Sequence, residues 1–128
     1  LVEVAAADLP RDRAAGTHWY DCGCVVVREG GLRIRHQDGG LPRTLRLLVD
    51  GMGTGDLVFR RADQEVSRLP FTVAGNQLAG GQWLDFAVPE PARGFDCVDL
   101  MPRVDEASAD AAVTMLEVLA VLGFELRP

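Results

Sequence analysis

The chain of 128 residues carries 13 basic and 19 acidic side chains, for a formal charge of −6, and is 48% hydrophobic. That length suits one domain over 1–128, and the composition is that of a soluble globular protein rather than a disordered one. The acidic balance repels phosphate backbones and argues against a nucleic-acid partner, and no apolar run reaches the ~20 residues of a membrane-spanning helix.

Every basic residue is arginine, which points to the codon usage of a GC-rich, bacterial genome and removes Schiff-base and P-loop lysine chemistry. Leu1 in first position reads as a chain processed or excised from a longer one. No basic segment followed by an apolar stretch marks a signal peptide, and localisation stays open.

In chain order, Leu1–Val4 reads as a short edge strand followed by a polar loop. The β-branched density of His18–Arg28 predicts a strand, and Glu29-Gly30-Gly31 a turn into Leu32–His36. The pair is expected to form a hairpin with Leu32 and Ile34 inward and Arg33 and Arg35 outward. Arg43–Asp50 alternates Leu45, Leu47 and Val49 on one face. The three glycines of Gly51–Gly55 predict a loop. Leu57–Arg61 and Glu65–Leu69 read as strands paired about 62–64, continuing through Phe71–Ala74. Gln82–Val88 is a strand ended by Pro89, and Phe95–Met101 another, ended by Pro102.

The tail changes rhythm. Ala112, Met115, Leu116, Leu119 and Leu122 recur at helical spacing, Asp105 or Ser108 can cap the first turn, and Gly123 suits a left-handed stop. A helix over about 106–122 is expected, with Phe124–Leu126 as a short last strand. The fold class is therefore α+β and β-dominated: an antiparallel sheet or sandwich of about seven to eight short strands with one C-terminal helix. An all-β jelly roll is the alternative. The expected core is Val25, Val27, Leu32, Ile34, Leu45, Leu47, Val49, Leu57, Phe59, Leu84, Phe86, Val98, Leu100, Leu116 and Leu119.

His18, Cys22 and Cys24 share strand parity, with neighbouring same-face positions about 6.6 Å apart, so they are candidate zinc ligands together with Cys97, and His36 as a further donor. Against that, buried cysteines act as small apolar side chains, and a disulfide from Cys97 is a third reading. Thiol catalysis is disfavoured because Asp21 and Asp96 adjoin the cysteines and raise a thiol's pKa. Ser67 and Ser108 lie outside any nucleophile elbow, and no two carboxylates stand out, Asp50, Asp56, Asp85 and Asp99 all reading as solvent-facing. Trp19, Tyr20 and Trp83 offer flat faces for sugar rings, and Arg60-Arg61 reads as a solvated strand end or a carboxylate or phosphate clamp.

The strand RTLRLLVDG, the strand LVFRR and the segment LDFAVPEPARGFDCVDLMP, with Val88-Pro89 followed by Gly94-Phe95-Asp96, resemble jelly-roll accessory domains of the galactose-binding-like type. The resemblance covers under half of the chain, and the expected C-terminal helix departs from it. It implies a non-catalytic carbohydrate-associated module attached to a larger enzyme. The leading expectation is a binding or accessory domain with no cofactor, taking a small-molecule or glycan ligand through Trp19, Tyr20, Trp83 and Arg60. The alternative is a protein-interaction or inhibitor domain whose acidic surface engages a basic protein. A small metal- or thiol-dependent enzyme comes third.

Overall fold

Alternation of apolar side chains sets most of this architecture. Leu45, Leu47 and Val49 are at most 1% exposed, as are Leu32 and Ile34, Leu57 and Phe59, and Val98 and Leu100. Each such set lies on one face of a strand, and burying that face demands a second layer. The computed structural model describes residues 1–9, 25–27, 30–37, 39–73, 81–103 and 119–128. The strands are β1 (Val2–Ala5), β2 (Val25–Val27), β3 (Leu32–Arg35), β4 (Thr44–Gly51), β5 (Gly53–Arg61), β6 (Gln64–Val73), β7 (Gln82–Ala87), β8 (Cys97–Pro102) and β9 (Leu119–Arg127). Two short 3-10 turns, Ala6–Asp8 and Glu90–Ala92, interrupt them.

One sheet runs β1-β3-β8-β5-β6 and the other β2-β9-β4-β7. β1 pairs with β3 in parallel; the other pairings are antiparallel. The core lies between the sheets, where Leu32, Leu57, Phe59 and Leu100 meet Leu45, Leu47, Val121 and Phe124. Phe59 and Phe95 add an edge-to-face pair with centroids 5.0 Å apart. Leu84 and Phe86 are only partly buried against this cluster. Among the described residues the fold is β-dominated.

The expected helix over 106–122 is corrected where it is described: 119–127 is a strand, and Gly123 lies opposite Leu48 within it instead of capping a helix. Ala120, Val121 and Leu122 are each at most 1% exposed, so this run is apolar on both strand faces. A doubly buried strand and a buried helix look alike in periodicity, and pairing with β4 along its length decides for the strand. Residues 104–118, with Leu116, lie outside the described residues.

The expected hairpin across Gly30-Gly31 is also corrected. β2 pairs with β9 in one sheet, and β3 lies between β1 and β8 in the other. A glycine pair signals a chain reversal but not which sheet receives the next strand. Leu32 and Ile34 nevertheless face inward as expected.

Nor is Gly51–Gly55 a loop: Gly51 ends β4, Gly53–Gly55 begins β5, and Met52 alone links them. Gly51, at φ +93°, occupies the left-handed region where the chain bends between strands. Gly55 is buried so tightly that a Cβ would run into the Met101 carbonyl oxygen and approach the Phe71 ring to 2.9 Å. The hairpin about 62–64 forms as expected, with β5 and β6 joined through Ala62 and Asp63 at φ +52° and +66°.

Asp50 and Asp99 are 3% and 1% exposed rather than solvent-facing. Asp99 on β8 takes Arg33 Nε at 2.7 Å and Nη2 at 2.8 Å from β3, and Arg60 Nε at 2.7 Å from β5. Arg60 is thus a carboxylate clamp, and the carboxylate is internal. Burial pushes the Asp99 carboxyl up, but the hydrogen bonds from Arg33 and Arg60 and their charges outweigh it, and the net value lies below the ordinary one.

Urea unfolding measures what these contacts contribute. Asp99→Asn costs about 3–5 kcal/mol, because two part-buried guanidiniums lose their counter-charge, whereas Asp85→Asn stays within about 1 kcal/mol. Since folding depresses the Asp99 pKa, its contribution is complete above the unfolded carboxyl's value of ~3.9 and is lost as pH falls through the folded value; Asp99→Asn flattens that acid limb. Gly55→Ala costs about 1–3 kcal/mol by overpacking against Phe71 and the β8 backbone.

Candidate functional site

β9 has β4 on one side along its length and, among the described residues, β2 on the other at Leu119–Val121. β1 is the edge strand of the other sheet. A cleft of about 980 Å³ opens between these edges, lined by Glu3, Val4, Ala5, Arg35, His36, Gln37, Phe124 and Leu126 among others. The 3-10 turn after β1 contributes Ala6 and Ala7 to the lining, and it is fixed by the burial of Ala6 within it and Leu9 just after it.

Strand parity accounts for the opposite wall. His36 follows Ile34 on the inward face of β3 and is 9% exposed at the rim of the core. Its backbone N–H donates to the Asp96 carbonyl at 3.0 Å. Its ring meets Phe95 edge-on at 4.7 Å and lies 6.0 Å from Phe124. Arg35 points to the other face, where its Nε donates to Glu3 Oε1 at 2.9 Å and its guanidinium has Asp63 and Asp96 at 3.9 and 4.0 Å. Asp96 is held below the ordinary carboxylate range, chiefly by the Ala62 backbone N–H. The Arg127 and Arg46 guanidiniums likewise hold Glu125 low.

The lining of the cleft therefore includes apolar Val4, Phe124 and Leu126 together with Arg35, Glu3, Glu125, Gln37 and His36. Among the described lining residues there is no hydroxyl or thiol nucleophile. Such a surface is suited to holding a polar ligand with an apolar face.

Of the residues expected to bind ligand, the two described, Trp83 and Arg60, belong to different sheets. Trp83 stands on β7 opposite Leu48, with the Arg46 guanidinium 4.7 Å from its ring centroid. Asp85 and Glu125 hold Arg46 there at 2.7 and 3.2 Å. Arg60, committed to Asp99, belongs to the other sheet. Trp19, Tyr20, His18, Cys22 and Cys24 lie outside the described residues. Among the described residues, no group of three or more His, Cys, Asp or Glu could hold a metal ion. The lining residues Glu3, Arg35, Gln37 and Phe124 go unmarked in the sequence reading, although the inward parity of His36 at a strand end is a signal for this wall.

Cys97 is fully buried, and burial, then its hydrogen bond to Asp96, pushes the thiol up to about 11. The thiol is consequently protonated at neutral pH. In peptide mapping after iodoacetamide treatment at pH 7.5, Cys97 stays unmodified in the folded protein and is alkylated in urea. No protein-family model, curated protein or solved structure matches this chain.

Proposed function

We propose that this domain is a non-catalytic binding module that takes a saccharide in the cleft between β1, the end of β3 and β9. The observation that carries the reading is the composition of the cleft lining, which combines apolar Val4, Phe124 and Leu126 with polar Glu3, Arg35 and Gln37. Pyranose rings present an apolar face and a rim of hydroxyls, and each hydroxyl both donates and accepts. A carboxylate that accepts, a guanidinium that donates and an amide that does both fit that rim. The cleft lies at the upper end of the range usual for small-molecule sites, which leaves room for more than one sugar unit.

The resemblance of the central strands to galactose-binding-like accessory domains supports the same reading, and the two-sheet arrangement is compatible with a jelly roll. The ligand surface proposed here is not the one formed by Trp83 and Arg60, because those two residues belong to different sheets.

The test is titration of ¹⁵N-labelled protein with galactose, glucose, xylose and their short oligomers. Saturable amide shifts are expected at Ala5–Ala7, Arg35–Gln37 and Phe124–Leu126. Gln37→Ala and Arg35→Ala are each expected to weaken binding about tenfold, the effect of losing one good polar contact. Shifts centred on Trp83 and Arg46, or no saturable shift with any sugar, would overturn the assignment.

A further inference from the structure

The charged groups of the cleft fall into two sets that are balanced differently. Glu125 accepts from Arg127 at 2.7 Å and from Arg46 at 3.2 Å, and Arg46 also holds Asp85 at 2.7 Å. Two guanidiniums there meet two carboxylates. Arg35 instead serves three: Glu3 at 2.9 Å, Asp63 at 3.9 Å and Asp96 at 4.0 Å. It is also the only arginine among the described lining residues. Three carboxylates around one guanidinium leave a surplus of two negative charges at this part of the cleft. Protonation of His36, which shares the lining, reduces that surplus without reversing it.

Among the described residues, none of these three carboxylates has a second arginine within 4.0 Å. Their side chains are 52%, 83% and 39% exposed, so a ligand entering from solvent meets the surplus directly. All three lie well within a Debye length of one another, ~8 Å at physiological salt, and act together on a charge bound beside Arg35. The apolar lining of Val4, Phe124 and Leu126 keeps part of that field from being screened. A neutral hydroxyl gains little from such a field, and a ligand carboxylate has to compete with Glu3 for Arg35 against two further negative charges. A cationic group gains from all of it.

We propose that the cleft selects an amino sugar: a saccharide whose protonated amine is drawn to the surplus around Arg35, with Glu3 as its direct acceptor, in preference to neutral or acidic sugars. The inference rests on the saccharide reading and adds a charge preference to it. A carboxylate offers about four lone-pair sites and an ammonium three donors, so Glu3 can hold Arg35 and the ligand amine together. Asp63 and Asp96 act on the amine through their charge.

The experiment compares trimers of glucosamine and of glucose with the same linkage, which differ only by an amine in place of a hydroxyl on each ring. A glucuronate trimer and spermidine complete the set, and the amide shifts at Ala5–Ala7, Arg35–Gln37 and Phe124–Leu126 report binding. The glucosamine trimer is expected to bind about tenfold more tightly than the glucose trimer in about 20 mM salt, and at most about threefold more tightly in about 300 mM salt. Glu3→Gln combined with Asp63→Asn removes the surplus and is expected to cut the low-salt advantage to about twofold or less. Asparagine tolerates the left-handed backbone of position 63, at φ +66°. Glu90→Gln, an exposed charge outside the lining, leaves the advantage within about twofold of its original value. Equal or tighter binding of the glucose or glucuronate trimer at the same amides would overturn the charge preference and leave the saccharide reading standing. No saturable shift with any sugar overturns both. An advantage that survives the double substitution, or a spermidine response as strong as that of the glucosamine trimer, also overturns the proposal, since the selectivity then lies outside these carboxylates or is not for a sugar.

Discussion

Asp99 cannot be buried alone, and the first sheet is arranged so that it is not. A carboxylate removed from water stays ionised only while opposite charges and hydrogen bonds replace its hydration, and Arg33 and Arg60 do so from the strands on either side. The clamp acts on one face of the sheet while Leu32, Ile34, Val98, Leu100, Leu57 and Phe59 fill the core on the other. A slip of one residue in β8 would turn Asp99 towards that core and leave both guanidiniums without a partner. Charge and apolar packing therefore enforce one register between them. The cleft inherits that precision, because Arg35, His36 and Gln37 directly continue the strand whose register the clamp holds.

The second sheet carries the inverse arrangement. There a single guanidinium, Arg46, is held by two carboxylates, Asp85 and Glu125, from the neighbouring strands. The geometry is alike, but its energetic weight differs. The Asp85 side chain is 62% exposed and that of Asp99 only 2%, so water screens the first and not the second. What Arg46 mainly does is lie over Trp83, covering an aromatic surface that would otherwise face solvent.

How much of this was legible in the sequence depended on whether the deciding contact was local. The hairpin through Ala62 and Asp63, the strand at 44–51 and its inward Leu45, Leu47 and Val49 all follow from alternation and nearby turn residues, and they were readable. Gly55 was not, because the reason for a glycine there is the approach of Met101 and Phe71 from distant strands. Likewise, 119–122 reads as the end of a helix because Leu119 and Leu122 continue a helical spacing, and nothing local reveals the β4 partner. Asp99 looked like any strand aspartate, since its burial depends on arginines 66 and 39 residues away. The cleft fell between: His36 at the inward end of an alternating strand hinted at one wall, while Phe124 sat in the short last strand expected after the helix, with nothing to mark it as lining.

β1 has four residues and a single partner strand, fewer bonds than any long strand of either sheet. Its residues Glu3, Val4 and Ala5 are also a wall of the cleft. A short edge strand held by one partner thus shapes the cavity, and mechanical load that peels β1 from β3 dismantles the site while the seams β3-β8-β5 and β9-β4 stay closed. Retention of a ligand by this domain is in that sense a property of a four-residue edge ladder, graded by force before it is graded by global unfolding.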